Sequence, residues 1–207
     1  MNQTHNYSFG FTAASLRLNE TVKIERVFRE GGYQAYNDID NREEIIGKGN
    51  KRTSIREFRE LISRLQKLTQ EQKNVLVNGD LAAQKQVAFL GVCKHYRFIR
   101  EFAVEVLREK MLVYDFQLTD ADYLSFERRK GELERLADST KRKVKQVLLK
   151  ILEQAGLIDN VKSQRIQIQI LGQSVTDAIM NENPEWLKIF LYNDGEILKL
   201  KQTYGIH

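Results

Sequence analysis

The sequence predicts a mainly α-helical chain with one small β-hairpin near residues 161–171. Three observations carry that prediction. Apolar residues recur every three or four positions through most of the chain, the spacing of one helix face. Ser, Thr, Asp or Asn stands just ahead of several of these runs, often with Glu, Gln or Asp three residues later, the signature of a capped helix start. One stretch, Arg165-Ile166-Gln167-Ile168-Gln169-Ile170, alternates strictly with the period of a strand. A single proline in 207 residues leaves helices uninterrupted. A composition of 42% hydrophobic and 29% charged residues is that of a folded, water-facing protein.

The elements follow in order. Residues 1–18 alternate loosely and suit a short extended arm or a first helical turn. Val22, Val27 and Phe28 mark a helix from Glu20 to Glu30, ended by Gly31-Gly32. Tyr33, Tyr36, Ile39, Ile45 and Ile46 suggest a short second helix within 33–46, and Gly47-Lys48-Gly49-Asn50 a loop. Over 53–68 the residues Ile55, Phe58, Leu61, Ile62, Leu65 and Leu68 form one stripe, with Ser54 and Glu57 at capping-box spacing. Thr69 and Gln72 open a further helix to about Val77. Asp80 caps the longest helical signal, 81–112, which is one helix or two bent near Tyr96-Arg97. Thr119 and Asp122 open a helix to Lys130. Another runs from Ser139 to Gln154 and stops at Gly156. After the alternating stretch, 172–182 is helical, Asn183-Pro184 starts a helix with proline in its first position, and Asn193-Asp194-Gly195 opens a last short element. Three parts result: an N-terminal helical unit, 1–78, a central helical connector, 79–114, and a C-terminal unit, 115–207.

Catalytic constellations are missing. The histidines are His5, His95 and His207, and the lone cysteine is Cys93, so neither a disulfide framework nor zinc-ligand spacing arises. The segment GKGNKRTS, 47–54, lacks the spacing of a phosphate-binding loop, and neither Gly-x-Gly-x-x-Gly nor Gly-x-Ser-x-Gly occurs. Cys93 and His95 point about 200° apart on a helix, which makes them a core residue and its polar flank. The expectation is a non-enzyme with no catalytic residue, no metal and no cofactor. The first residues lack the basic and apolar regions of a secretory signal. The most apolar run, Val87 to Cys93, is far too short to span a bilayer. A cytoplasmic location without membrane attachment is expected.

Positive charge is better organised. The chain carries a net +5. In "DSTKRKVKQVLLKILEQAGLI", 138–158, Val144, Val147, Leu148, Ile151, Leu152 and Ala155 share a face. Arg142, Lys143, Gln146 and Lys150 lie mostly opposite, flanked by Lys141 and Lys145. Cations crowded at a helix N-terminus oppose the helix dipole, so helix stability alone does not favour them there. Ser139 and Thr140 add hydroxyls and free amides that suit phosphate. A helix, then Ala-Gly-Leu-Ile, then a short hairpin is the order of a winged helix-turn-helix, with helix 119–130 as the brace. The helix at 53–68 repeats the pattern, with Lys51, Arg52, Arg56 and Arg59 as candidate DNA contacts against the alternative of a salt-bridged surface. Tyr96, Phe98 and Phe102, interleaved with Arg97 and Arg100, fit either a core or a stacking platform for bases, and the core fits better.

"YRFIREFAVEVLREK" followed by "LTDADYLSFERRKGELERLADSTKRKVKQVLLKILEQAGLI" resembles the BrxA family, a component of the BREX (bacteriophage exclusion) phage-defence systems. Upstream, "SFGFTAASLRLNET" and "RTSIREFRELISRLQKLTQEQ" fit more loosely. Thr12-Ala13-Ala14-Ser15 replaces the glycine cluster that many members carry. The resemblance implies two winged helix-turn-helix-like units joined by a long central helical segment. It also implies double-stranded DNA binding without enzymatic activity, beside the other BREX components. A likeness of the family to helical RNA-binding antitermination factors keeps RNA open as a ligand.

The expected function is therefore an accessory protein that binds double-stranded DNA, mostly at phosphates, through Ser139, Thr140, Lys141, Arg142, Lys143 and Lys145 and through Lys51, Arg52, Arg56 and Arg59. Two alternatives stand beside it. One is a protein–protein adaptor using Leu149, which lies off the main apolar stripe. The other is an RNA-binding helical protein using the aromatic and arginine residues of the connector. A homo-oligomer is left open.

Overall fold

A computed structural model describes residues 7–31 and 51–206, without the side chain of Lys51. The short helix expected within 33–46, the loop 47–50, and His5 and His207 lie outside the described residues. Helices α1 (Leu18–Gly31), α2 (Lys51–Leu65) and α3 (Gln70–Asn78) lead to α4 (Leu81–His95). α5 follows without a break as Arg97–Phe102, a π-helical stretch Ala103–Arg108, and Glu109–Leu112. Then come α6 (Asp120–Lys130), α7 (Asp138–Ala155), α8 (Gln173–Met180) and α9 (Asp194–Thr203). Short 3-10 turns cover Gly10–Ala13, Glu132–Arg135 and Pro184–Phe190.

α4 is the centre. Its run from Gln86 to Cys93 is buried on every side, and α1, α2, α3, α5, α7 and α8 all pack on it. Each fully buried Val, Leu or Phe there contributes about 1.5–3 kcal/mol of burial. Close packing reaches the backbone at Gly91, where an added Cβ would lie 3.3 Å from the Arg64 carbonyl. Cys93 sits in this core with its thiol held protonated by burial. The long helical signal does bend at Tyr96, whose extended backbone (φ −110°, ψ 100°) ends α4 and starts α5.

The N-terminal arm straps the molecule together. Phe9 and Phe11 pack edge-on against Phe98 and Tyr96, at centroid distances of 5.4 and 5.3 Å, and Phe98 meets Phe126 of α6 at 5.2 Å. The Leu16 amide donates to Gln154 Oε1 of α7 at 2.9 Å. Tyr96, Phe98 and Phe102 are thus enclosed in the core. A base-stacking platform on these three rings is corrected, because no ring face remains for a base.

Several expected caps are present. Thr69 with Gln72, Thr119 with Asp122, and Asn193 with Glu196 form capping boxes, and Asp80 and Asn183 accept backbone amides. Gly156 closes α7 in the left-handed conformation, φ 82°. One cap is corrected. Ser54 and Glu57 are buried within α2, because that helix begins earlier, at Lys51, and Arg17 takes the Glu57 carboxylate at 3.3 Å. α7 starts from Ala137 with no side-chain cap, and its first turn carries Asp138 instead.

The β-hairpin expected near 161–171 is also corrected. Among the described residues no strand forms; two isolated antiparallel bridges, Ile158 with Ile166 and Gln117 with Arg165, take its place. Segments 116–118, 165–167 and 157–159 lie side by side. The Ile166 amide donates to the Phe116 carbonyl at 2.8 Å, and the Gln167 amide donates to the Leu157 carbonyl at 2.9 Å. The turn between the last two is tight. Asn160 Oδ1 accepts the amides of Lys162 and Ser163, and Gln164 adopts a left-handed φ of 51°. Pairing with segment 116–118 ends at Ile166, because the chain just before Phe116 closes the end of α5, with the Tyr114 and Asp115 amides donating to the Met111 and Lys110 carbonyls. The Gln167 and Gln169 side chains bond to nearby carbonyls instead. Ile168 and Ile170 are left 65% and 82% exposed.

Candidate nucleic-acid interface

α7 is amphipathic in a graded way. Val144, Val147, Leu148, Ile151, Leu152 and Ala155 are buried, which anchors its C-terminal two-thirds. The first two turns stand clear of that anchor. Ser139, Thr140, Arg142 and Lys143 are exposed and Lys141 half-exposed. Lys141, Arg142 and Lys143 have no ion pair or side-chain hydrogen bond among the described residues. Lys145 differs: it meets Asp120 Oδ1 at 2.8 Å and lies 5.4 Å above the Tyr123 ring.

Two grooves flank this helix. One, of about 610 Å³, runs between α6 and α7 and is lined by Asp120, Tyr123, Leu124, Glu127, Asp138, Lys141, Arg142 and Lys145, a mixture of both charges. The other, of about 530 Å³, lies toward the 160–164 turn and is lined by Arg142, Lys145, Gln146, Leu149, Lys150 and Val161. No carboxylate lines the second groove, though Lys150 pairs with Glu153. Of its three cations, Lys145 and Lys150 are held in ion pairs, while Arg142 has none among the described residues.

The turn adds residues that periodicity had not marked. Lys162 and Arg165 are exposed and their side chains have no partner among the described residues. Their signal was faint: two cations bracket Ser163-Gln164, in a turn that meets α7 where the Val161 amide donates to Glu153 Oε1 at 3.4 Å. Leu149, named for an adaptor surface, is corrected. It is 7% exposed, packed inward because α7 buries a wider stripe than one helical face.

α2 is less clear-cut. Arg52, Arg56 and Arg59 are exposed; Lys51 begins the helix, and its side chain lies outside the described residues. Phe58, Leu61 and Leu65 pin the opposite face. Glu60, with its carboxyl raised by burial, accepts from the Tyr96 hydroxyl. Arg64 is buried and donates to the carbonyls of Ala14 and Ser15, both at 2.6 Å; burial lowers its guanidinium pKa to about 10. α2 and α7 share α4 and the Gly10–Ala13 turn as neighbours.

Among the described residues, no group of three or more His, Cys, Asp or Glu is placed to hold a metal ion, and no helix is long and apolar enough to cross a membrane. Fold and site together define a mainly helical protein that presents a basic helix tip, at Lys141–Lys143, without a carboxylate partner among the described residues. The BrxA family model matches residues 5–183, and the chain belongs to the BrxA family, a component of BREX phage-defence systems. Over 107 residues it is 35% identical to the BREX protein BrxA of Bacillus cereus (strain H3081.97), a match covering 49% of this chain and 54% of that protein. The chain thus spans about half the length of the curated relative it matches. An uncharacterized protein from Magnetospirillum magneticum, known from a crystal structure, shares the fold with a TM-score of 0.75 at 18% identity, over 90% of this chain and 98% of that one.

Proposed function

We propose that this chain is a non-enzymatic accessory protein of a BREX system that binds double-stranded DNA, mainly through phosphates, with the tip of α7. The observation that carries this reading is the run Lys141-Arg142-Lys143, three adjacent cations without a carboxylate partner among the described residues. Charges left unpaired by the fold are available to phosphate, and releasing condensed counterions from DNA supplies the affinity.

The topology supports the same reading. The order of segment 116–118, α6, α7, segment 157–159, tight turn, segment 165–167 is that of a winged helix-turn-helix, reduced here to single bridges. On this reading α6 braces α7, and the turn with Lys162 and Arg165 is the wing. Ser139, Thr140 and Lys145 flank the contact. Arg52, Arg56 and Arg59 of α2 form a second, weaker patch. Contacts of this kind position the protein without reading bases, so sequence preference is weak.

Fluorescence anisotropy with a labelled random duplex tests this. Wild type is expected to bind, with a log–log salt slope of about 0.9 per phosphate neutralised. R142E/K143E is expected to weaken binding about a hundredfold, that is about 2.7 kcal/mol, with an unchanged melting temperature. An unchanged affinity in that variant would overturn the assignment of α7.

A further inference from the structure

We infer that the apolar patch formed by the end of α5 and the residues after the 160–164 turn is the contact surface for a second copy of this chain. Leu112, Val113 and Tyr114 are 37%, 72% and 83% exposed, and Ile168 and Ile170 are 65% and 82% exposed. The bridge between Gln117 and Arg165 sets the register. It draws the chain that leaves α5 alongside the residues after the turn. Met111, next to Leu112, lines one groove with Ile168 and Ile170, which brings the end of α5 and the residues after the turn together. Most of the large exposed apolar residues of the described chain are gathered here.

Nothing in the monomer explains the patch. Tyr114 holds a left-handed φ of 59°, a conformation costly for a large side chain, while its ring faces water. The amides of Ile168, Gln169 and Ile170 have no acceptor among the described residues. A contiguous exposed apolar surface of this size marks an interaction site.

Area and charge point to a second copy. The five side chains present on the order of 600 Å² of accessible surface, near the roughly 800 Å² per partner of a standard interface. Residues 166–176 contain no charge in a chain that carries +5. A two-fold contact sets each patch against its own image; here Glu196 is the one charged residue lining the groove, and Lys110 and Asp115 beside it pair with each other, so little charge meets its own image. The basic tip of α7 holds none of these residues, so the dimer would leave both tips free.

Sedimentation equilibrium of the full chain without DNA tests the inference, and its outcome does not depend on the DNA reading. Over about 1–100 μM, the wild type is expected to pass from one 24.2 kDa chain to two. I168K/I170K is expected to stay monomeric, with unchanged circular dichroism and melting temperature because both side chains are exposed. Y114N keeps a residue suited to the left-handed backbone and is expected to raise the dimer dissociation constant at least about tenfold. A wild type that stays monomeric at the top concentration, binding only some other protein through this patch, would overturn the proposal. So would dimers that survive both variants.

Discussion

The tip of α7 and the surroundings of α5 carry the same chemistry to opposite ends. Around α5, Arg97 and Lys130 converge on Glu101, Lys130 also reaches Glu105, and Lys110 holds Asp115 and Asp122. These cations spend their charge inside the molecule, tying the connector to the arm and to α6. At the α7 tip, Lys141, Arg142 and Lys143 meet no carboxylate among the described residues. Density of positive charge in the sequence is thus a poor guide to a binding surface; what matters is the charge left over after folding. "YRFIREFAVEVLREK" is nearly as rich in cations as the start of α7, yet its charges are largely paired.

The comparison breaks most visibly at Arg64, the buried extreme of the compensated set. Its guanidinium satisfies two carbonyls of the N-terminal arm and sits 5.4 Å from the Tyr96 ring centroid. R64A is expected to cost about 3–4 kcal/mol, because it strands buried acceptors and opens a cavity. Urea unfolding measures that loss, while anisotropy on the folded variant is expected to give wild-type DNA affinity. R142E/K143E is its mirror image, with affinity lost and stability kept. If both variants lost both properties, the division between spent and free charge would not hold.

Most helices were legible because their signals are local. Thr69, Asp80, Thr119, Asn183 and Asn193 cap where the sequence placed them, and Gly156 stops α7 as expected. The failures come from tertiary competition. Ile168 and Ile170 alternate like a strand, but no neighbouring strand covers them. Ser54 and Glu57 have capping-box spacing but fall inside a helix that starts earlier. The basic tip of α7 was legible as a run of charge. That Lys145 is drawn aside by Asp120 depends on a contact between α6 and α7, and that Lys162 and Arg165 stand unpaired among the described residues on a tight turn depends on how that turn folds.

Glu101 sharpens the comparison through pH. Burial would raise its carboxyl, but hydrogen bonds from Lys130, Tyr7 and Arg97 hold it below its ordinary value of 4.5. A carboxylate lowered in the folded state adds stability that is fully present above that value and is lost as pH falls through the folded one. Thermal melts from pH 7 to about 3 are expected to show this loss. E101Q is expected to be less stable by about 1–3 kcal/mol at neutral pH and to show a shallower acid decline. A variant whose melting curve fell as steeply with acid would assign the acid sensitivity to other carboxylates. DNA binding is expected to be unaffected, since Glu101 serves only charges already spent.

The smallest effect falls on the residue between the two classes. Lys145 stands at the end of the basic run, yet it is held by Asp120, whose side chain is 70% exposed. A pair that open to solvent contributes about 0–1 kcal/mol, little enough for a phosphate to capture the lysine. D120N releases Lys145 and removes a negative charge from the groove between α6 and α7. It is expected to tighten DNA binding about two- to threefold and to steepen the salt slope by up to about 0.9, the increment for one more phosphate. K145A measured alongside closes the cycle. If D120N has no effect and K145A costs only stability, Lys145 belongs with Arg97 and Lys130, held over the Tyr123 ring as part of the fold. If D120N tightens binding only while Lys145 is present, the boundary between structural and free charge runs through Asp120 and moves when DNA arrives.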